Sequence, residues 1–450
     1  MNIENFKTIL LINLVAISLF LSYSLWTWQP ASDSTSKQKY VQEDTEIQQK
    51  KVADFIFPTQ MLVHRENDHI VSMKGSDIAA MYHALEEGEF DNFRDISNKI
   101  PREEFLSFVH GEFKTELVFN TDITFTTMRN IFSIKHKGLN SYSFDRIVIH
   151  LPPDKQEEEL KVYFISYDYQ KVYEMTMTGY AVQQLEMIQN QFVEKAAQKY
   201  FMYRVSDQRA IFLPETEQKM PSIPYIASEM SRDMLKNALF TDPRYVKEEE
   251  TKTEESYTDG TRLLQVKKDK RMISYENSAV AGNGYVSSSA LVQKSIDFIN
   301  SHGGWTDTYR LYDVNAKRGQ TSFRLYVDNS YPVFTRSGIA ALKQSWGTEE
   351  LSKYERPLLQ LNLKGEEEDV MLPSGRAIIA QLTNATSHNA KELRSIYIGY
   401  EIIPQSGRGG GTVNVIKLEP IWVIAYKSPK TGIYYKRFSG VEGGDLIGLD

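Results

Sequence analysis

Ser34-Thr35-Ser36-Lys37 places a serine and a lysine at the S-x-x-K spacing. In that spacing a lysine stands beside a nucleophilic serine. Ser387-His388-Asn389 and Lys430-Thr431-Gly432 follow it in the order used by penicillin-recognising serine enzymes. The context opposes that chemistry. A serine nucleophile of this kind starts a buried helix, whereas Ser34 lies in a polar stretch just beyond a long apolar run. Lys430 follows Ser428-Pro429, a turn signal rather than a cleft-lining strand. Gly407, Gly409 and Gly411 have part of the spacing of a dinucleotide loop. Such a loop leads into a helix whose N–H groups meet the phosphate. The residues that follow, 412–426, read instead as a strand, so a hairpin turn is expected.

The eight histidines contain no H-E-x-x-H. His64 and His69 flank Arg65–Asp68. His110-Gly111-Glu112 matches the start of a zinc-deaminase motif whose cysteine pair is absent. The acidic runs Glu157–Glu159 and Glu366–Asp369 lack the calcium-loop pattern. Paired carboxylates would be brought together in space rather than in sequence, and nothing selects one pair. The expectation is therefore a protein with no catalytic, cofactor-binding or metal-binding residues.

The longest feature is not chemical. No charge occurs between Lys7 and Asp33, and Ile9–Trp28 is apolar enough to cross a bilayer as one helix. Tyr23, Trp26 and Trp28 gather at one end, as an interfacial aromatic belt does, and Pro30 follows. The run exceeds a signal-peptide core and no A-x-A-like site follows it, so an uncleaved anchor is expected. Residues 1–8 are expected inside the cell and the bulk outside. Asn13, Ala16, Ser18 and Ser22 are the candidate contacts for a second membrane helix. A polar residue in lipid seeks a partner, and small residues let another backbone approach. The alternative is an anchor that only tethers.

The remaining elements must position whatever lies outside. Residues 29–54 read as a polar linker. Domains are expected at 55–179, 180–280 and 281–450. Ser76 is expected to cap a helix bearing Ile78, Met81, Tyr82 and Leu85, ended by Gly88. Glu116–Phe119, Ile123–Thr127 and Ile147–Leu151 read as strands, and Leu160–Ser166 with Val172–Thr178 as a hairpin. Ala181–Tyr200 and Ala227–Leu239 read as helices, the second with Met230, Met234 and Leu235 inward. Lys247–Tyr257 reads as a strand whose glutamates face water, joined through Asp259-Gly260 to Leu263–Val266. Ser288 or Ser289 is expected to cap a helix that ends at His302-Gly303-Gly304. Tyr309–Val314, Ser322–Val327, Ile396–Ile403 and Val413–Tyr426 complete the strands. The fold class is α+β: one transmembrane helix, then three extracytoplasmic domains of mainly antiparallel sheet with packed helices.

Composition narrows the function class. The 450 residues carry a net charge of −7, which argues against a nucleic-acid binder. The absence of cysteine removes disulfides, thiol nucleophiles and cysteine-ligated zinc. Tyr 26 and Phe 22 point to sheet-rich cores.

Several stretches resemble one family. They are Trp26-Thr27-Trp28-Gln29-Pro30 after the span, Phe240-Thr241-Asp242-Pro243-Arg244-Tyr245-Val246, and Tyr257-Thr258-Asp259-Gly260-Thr261-Arg262-Leu263-Leu264. Phe323-Arg324-Leu325-Tyr326-Val327-Asp328, Tyr331-Pro332-Val333-Phe334 and Leu418-Glu419-Pro420-Ile421-Trp422 belong with them. With the anchor-plus-ectodomain layout, they resemble the YycH family of Bacillus-type bacteria. The resemblance implies a non-enzymatic accessory regulator of the WalK–WalR (YycG–YycF) two-component system, which controls cell-wall metabolism. It also implies a companion, YycI, similar to the last two domains, and contact with the sensor kinase WalK through transmembrane helices. The competing expectations are a ligand-binding receptor module and an anchored cell-wall enzyme.

Overall fold

A computed structural model describes residues 11, 14–19, 21–22, 49–65, 68–151, 159–179, 181–195, 198–280, 286–405, 414–428, 432–438 and 446–450. The chain divides into two compact units, Met1–Thr45 and Glu46–Asp450.

In the first unit the described residues, Leu11, 14–19 and 21–22, are helical and exposed. Leu11, Leu14, Val15, Ile17, Leu19 and Leu21 each present most of an apolar side chain to the surroundings. No helix among the described residues is long and apolar enough to cross a membrane.

The second unit is mostly sheet. Ten described strands form the first sheet: β1 (Gln60–Arg65), β2 (Asp68–Ser72), β3 (Glu89–Asp95), β4 (Lys114–Thr124), β5 (Ser133–Ile134), β6 (Ser143–His150), β7 (Glu159–Ser166), β8 (Lys171–Thr178), β9 (Tyr200–Ser206) and β10 (Arg209–Pro214). Their spatial order is β10-β9-β2-β1-β4-β6-β7-β8-β3-β5. Pairing is antiparallel except for the short β3–β5 contact. The second sheet holds sixteen described strands between Gln218 and Leu449. Its long members are Gln218–Glu229, Leu393–Pro404 and Asn414–Ser428. Thus β9 and β10 complete the first sheet, and the second begins at Gln218.

The first sheet is covered on both faces. Met61, Leu117, Ile147 and Ile149 point into the main core. Val148, Tyr163 and Ile165 point the other way, against Phe105, Leu106 and Val109 of the short helix Phe105–Val109. That double burial traps polar side chains that alternate along β1 and β4.

The hairpin Leu160–Ser166/Val172–Thr178 forms, with Ile165 opposite Val172. The Asp259-Gly260 turn joins paired strands, with Thr258 opposite Leu263. Five local expectations are corrected. The helix Gly75–Glu86 is not capped by Ser76. Ser72 Oγ instead accepts from Lys74 N at 3.1 Å and donates to Asp77 Oδ2 at 2.7 Å, closing the first turn from outside. Phe125–Thr127 is not strand: Phe125–Met128 is a helical turn capped by Thr124, whose Oγ1 accepts from Thr127 N at 3.2 Å. Ala227–Glu229 is the end of a strand, held by pairing with Leu359–Leu361, and the helix is confined to Arg232–Leu239. Lys247–Tyr257 is two strands, Lys247–Glu250 and Glu254–Thr258, folded on one another with Glu250 opposite Glu255. Lys268 bridges those two carboxylates, and Glu255 is buried rather than wet. Finally, Ser287 caps the helix Ser288–Ser301.

Candidate functional site

The membrane-contact candidates and the chemical candidates separate. Ala16, Ser18 and Ser22 lie on described helical residues and are exposed. Asn13 lies outside the described residues. Ser34, Lys37, Gly407, Gly409, Gly411, Lys430 and Thr431 also lie outside them. Ser387-His388-Asn389 sits in a turn after the helix Gly375–Asn384, where His388 Nδ1 meets Tyr426 Oη at 2.8 Å. The strands flanking Gly407–Gly411 pair antiparallel, Pro404 opposite Ile416, as a hairpin requires. The exposed acids of the 366–369 run are neutralised piecemeal: Lys364 meets Glu367, Lys417 meets Glu368 and Lys219 meets Asp369.

What the fold does assemble is a buried polar group on the second face of the first sheet. Glu116 stands on β4 opposite Leu62 and Val148, with no exposed surface. His64 of β1 reaches Glu116 Oε1 with Nε2 at 2.6 Å. His110, at the end of the helix Phe105–Val109, reaches the same oxygen with Nδ1 at 2.5 Å. Arg146 of β6 donates to the other oxygen, Oε2. The outer nitrogens are also engaged. His64 Nδ1 lies 2.8 Å from His69 Nδ1, and His110 Nε2 lies 2.8 Å from Tyr167 Oη. Tyr167 Oη accepts in turn from Ala210 N at 3.0 Å. Phe212 packs against all three imidazoles.

Electrostatics follow from burial. Burial pushes the Glu116 carboxyl up, but His110 and Arg146 outweigh it and hold the acid well below its ordinary range. Burial lowers His110, and it lowers His69 to about 4 with help from the neighbouring imidazoles. Burial brings Lys114, beside Glu116, down to about 8. His64, His110 and Glu116 therefore offer two imidazole nitrogens and one carboxylate oxygen to a common point.

A second ionic group adjoins the first. Asp168 accepts from Arg209, from Arg394 at 2.9 Å and from Lys427. Burial alone would raise this acid; the three cations bring it to about 2. A cavity of ≈ 90 Å³ is lined by Arg146 and Phe212 from the first group, Arg209 and Arg394 from the second, and Tyr397 among others. A further cavity of ≈ 170 Å³ lies in the second sheet, with Leu325, Leu359, Leu361, Ile402 and Ile416 inside and Lys270 and Arg271 lining it as well.

One family description, YycH protein, N-terminal domain, matches residues 4–195, and a second, YycH protein, C-terminal domain, matches residues 208–437. The chain belongs to the YycH family. The "Two-component system WalR/WalK regulatory protein YycH" of Bacillus subtilis (strain 168) is 24% identical over 440 residues, 94% of each chain. The crystal structure of YycH from Bacillus subtilis covers 86% of this chain and 96% of its own, with a TM-score of 0.72 at 20% identity. The fold is thus that of YycH, mixed and mostly sheet. In this YycH-family chain the histidine–glutamate group lies wholly in the N-terminal match. The Asp168 group takes its acid from the N-terminal match and its three cations from the C-terminal one.

Sequence spacing sets His64 near His69 and singles out His110, but it ties neither to Glu116. The available signal was Lys114 and Glu116 inside an otherwise strand-like apolar run, read with the histidine at 110. It pointed to a partner without naming it, because the partners come from three other segments.

Proposed function

We propose that this chain is a membrane-anchored, non-catalytic regulator of a WalK–WalR two-component system. The observation that carries this reading is the colinear match: both halves of the family, in order, with the relative of that name aligned over nearly all of both chains. Residues 9–28 are the anchor in this reading, with residues 1–8 inside the cell and the bulk outside. The exposed apolar surface of the described helical residues between Leu11 and Leu21 supports a lipid-facing role. WalK is the partner, YycI the companion, and Asn13, Ala16, Ser18 and Ser22 the contact surface. A partner helix changes kinase activity only by binding one state of the kinase better than the other, and about 1–3 kcal/mol gives a 5–150-fold bias.

The test is crosslinking in the membrane with the native chain and with 9–28 replaced by poly-leucine. Capture of the kinase by the native chain alone supports recognition through the helix. Equal capture by both moves recognition to the outer unit, and capture by neither overturns the reading. At finer grain, Asn13→Leu, Ser18→Leu and Ser22→Leu together are expected to weaken kinase capture while the chain stays in the membrane fraction. Unchanged capture removes these residues from the contact.

A second reading, a receptor module, is favoured by the apolar cavity lined by Leu325, Ile402 and Ile416, with Lys270 and Arg271 also in its wall. A thermal shift with a short-chain anionic amphiphile, absent for its neutral analogue, would support it.

A further inference from the structure

We propose that His64 Nε2, His110 Nδ1 and Glu116 Oε1 form a binding site for a divalent transition metal of the zinc or cobalt class. The first argument is convergence. Both imidazoles aim at one carboxylate oxygen, Oε1, although the carboxylate has two. The second oxygen is taken by Arg146. One carboxylate oxygen can accept from both imidazoles, and the same convergence is how three ligands surround one ion. All three ligand atoms lie within 4.8 Å of one another and all three residues are buried. Tetrahedral zinc holds nitrogen and oxygen at about 2.0–2.2 Å, so ligand atoms about 3.3 Å apart suffice. Opening the two contacts from 2.6 and 2.5 Å requires less than an ångström of side-chain movement.

The second argument is the outer shell. A histidine that ligates a metal donates its other N–H to an acceptor, which fixes the tautomer. His64 Nδ1 faces His69 Nδ1, and His110 Nε2 faces Tyr167 Oη. Without metal, each inner nitrogen carries the proton donated to Glu116, and the outer nitrogens accept from His69 and Tyr167. With metal, the two protons move to the outer nitrogens, and His69 and the Tyr167 oxygen become acceptors. Tyr167 Oη can then donate to Ala210 O, 3.5 Å away. The His69 proton moves to its own Nε2, so no proton need leave the protein.

The third argument is charge and space. Arg146 opposes a cation, yet the buried acid Asp145 precedes it in β6. The cavity of ≈ 90 Å³ is lined by Arg146, Ala210 and Phe212, which border the group.

The test uses the full chain in detergent, purified without a polyhistidine tag and stripped with chelator, and titrated with Co²⁺. The expected result is one equivalent bound, with visible d–d bands of a four- or five-coordinate nitrogen–oxygen site and a raised melting temperature. His110→Gln is expected to abolish the bands. Tyr167→Phe keeps every ligand and is expected to weaken binding about 10–100-fold, the usual cost of losing an outer-shell partner. His83→Gln, an exposed histidine, is the control and is expected to change nothing. Absence of bands in the folded chain, or bands that survive His110→Gln in a folded protein, would overturn the site. So would an unchanged affinity in Tyr167→Phe.

Discussion

At the scale of single residues, the first sheet holds acids displaced in opposite directions by their neighbours. Asp122 is pushed up to about 6 by burial first and by Asp145 and Asp168 second. Asp168, bonded directly to three cations, is brought down to about 2. The sign for Asp122 is set by linkage. A carboxyl raised in the fold contributes fully below its unfolded value and loses that contribution as pH rises through about 6. At pH 7 the ionised form is therefore a burden. Asp122→Asn is expected to stabilise the chain at pH 7 by about 1–2 kcal/mol, most of it gone at pH 4, where wild type is protonated as well. Urea melts of both proteins at the two pH values check this; an equal difference at both would place the effect in packing. Asp168 behaves oppositely. Asp168→Asn leaves Arg209, Arg394 and Lys427 without their shared acid and is expected to cost about 2–3 kcal/mol at pH 7, less than a fully buried pair because the cations are partly exposed. The deficit shrinks as pH falls from about 4 towards 2, since wild type then loses the same charge.

At the scale of elements, the question is what joins the two sheets. The helix Gly75–Glu86 belongs to the first sheet, yet its first residue packs against the turn after the strand Gln320–Val327 in the second. A Cβ added at Gly75 would lie 2.3 Å from Asp328 O, and Ser330 Oγ donates to Met73 O just before the helix. Asp328 and Asn329 both have positive φ, so this turn is constrained and does not yield easily. Gly75→Ala is expected to destabilise by about 1–3 kcal/mol through overpacking. Gly448→Ala, where a Cβ meets nothing within 4 Å, is the control for thermal melts of both variants. Much of this level was legible in the sequence. The apolar spacing of Ile78, Met81, Tyr82 and Leu85 located the helix, and alternation located the Leu160–Thr178 hairpin. The cap escapes the sequence pattern, because Ser72 and Asp77 share a task usually given to one residue. The Lys247–Tyr257 run reads as one strand but folds as two, because alternation continues across the tight turn at Thr251. The histidine–glutamate group was out of reach for a different reason. Its ligands come from β1, from the end of a five-residue helix and from β4, and only the register of β1 on β4 brings them together.

At the scale of the whole molecule, acid is the perturbation that separates the charged groups by sign. His302 is buried, stacks on Phe298 at 3.9 Å and is lowered by burial to about 4. His69 is lowered to a similar value. A base depressed in the fold supplies stability that is complete above its unfolded value of 6.5 and is lost as pH falls from there to about 4. Over that window the unfolded chain takes up protons that the folded chain refuses. Asp122 works against this between pH 4 and 6, because its raised carboxyl releases its own destabilisation as it protonates. The histidines act in both halves of the protein, His69 in the first sheet and His302 at the end of the helix Ser288–Ser301 that packs on the second. For His302 alone the shift is equivalent to about 3 kcal/mol. The full chain is therefore expected to lose stability between pH 6.5 and 4, and His302→Gln to flatten that slope whatever it costs at pH 7.5. The measurement is the denaturation midpoint and its slope parameter at half-unit pH steps for wild type, His302→Gln and His69→Gln. A slope between pH 6.5 and 4 that is unchanged in both variants would remove these two histidines as the source of the acid sensitivity.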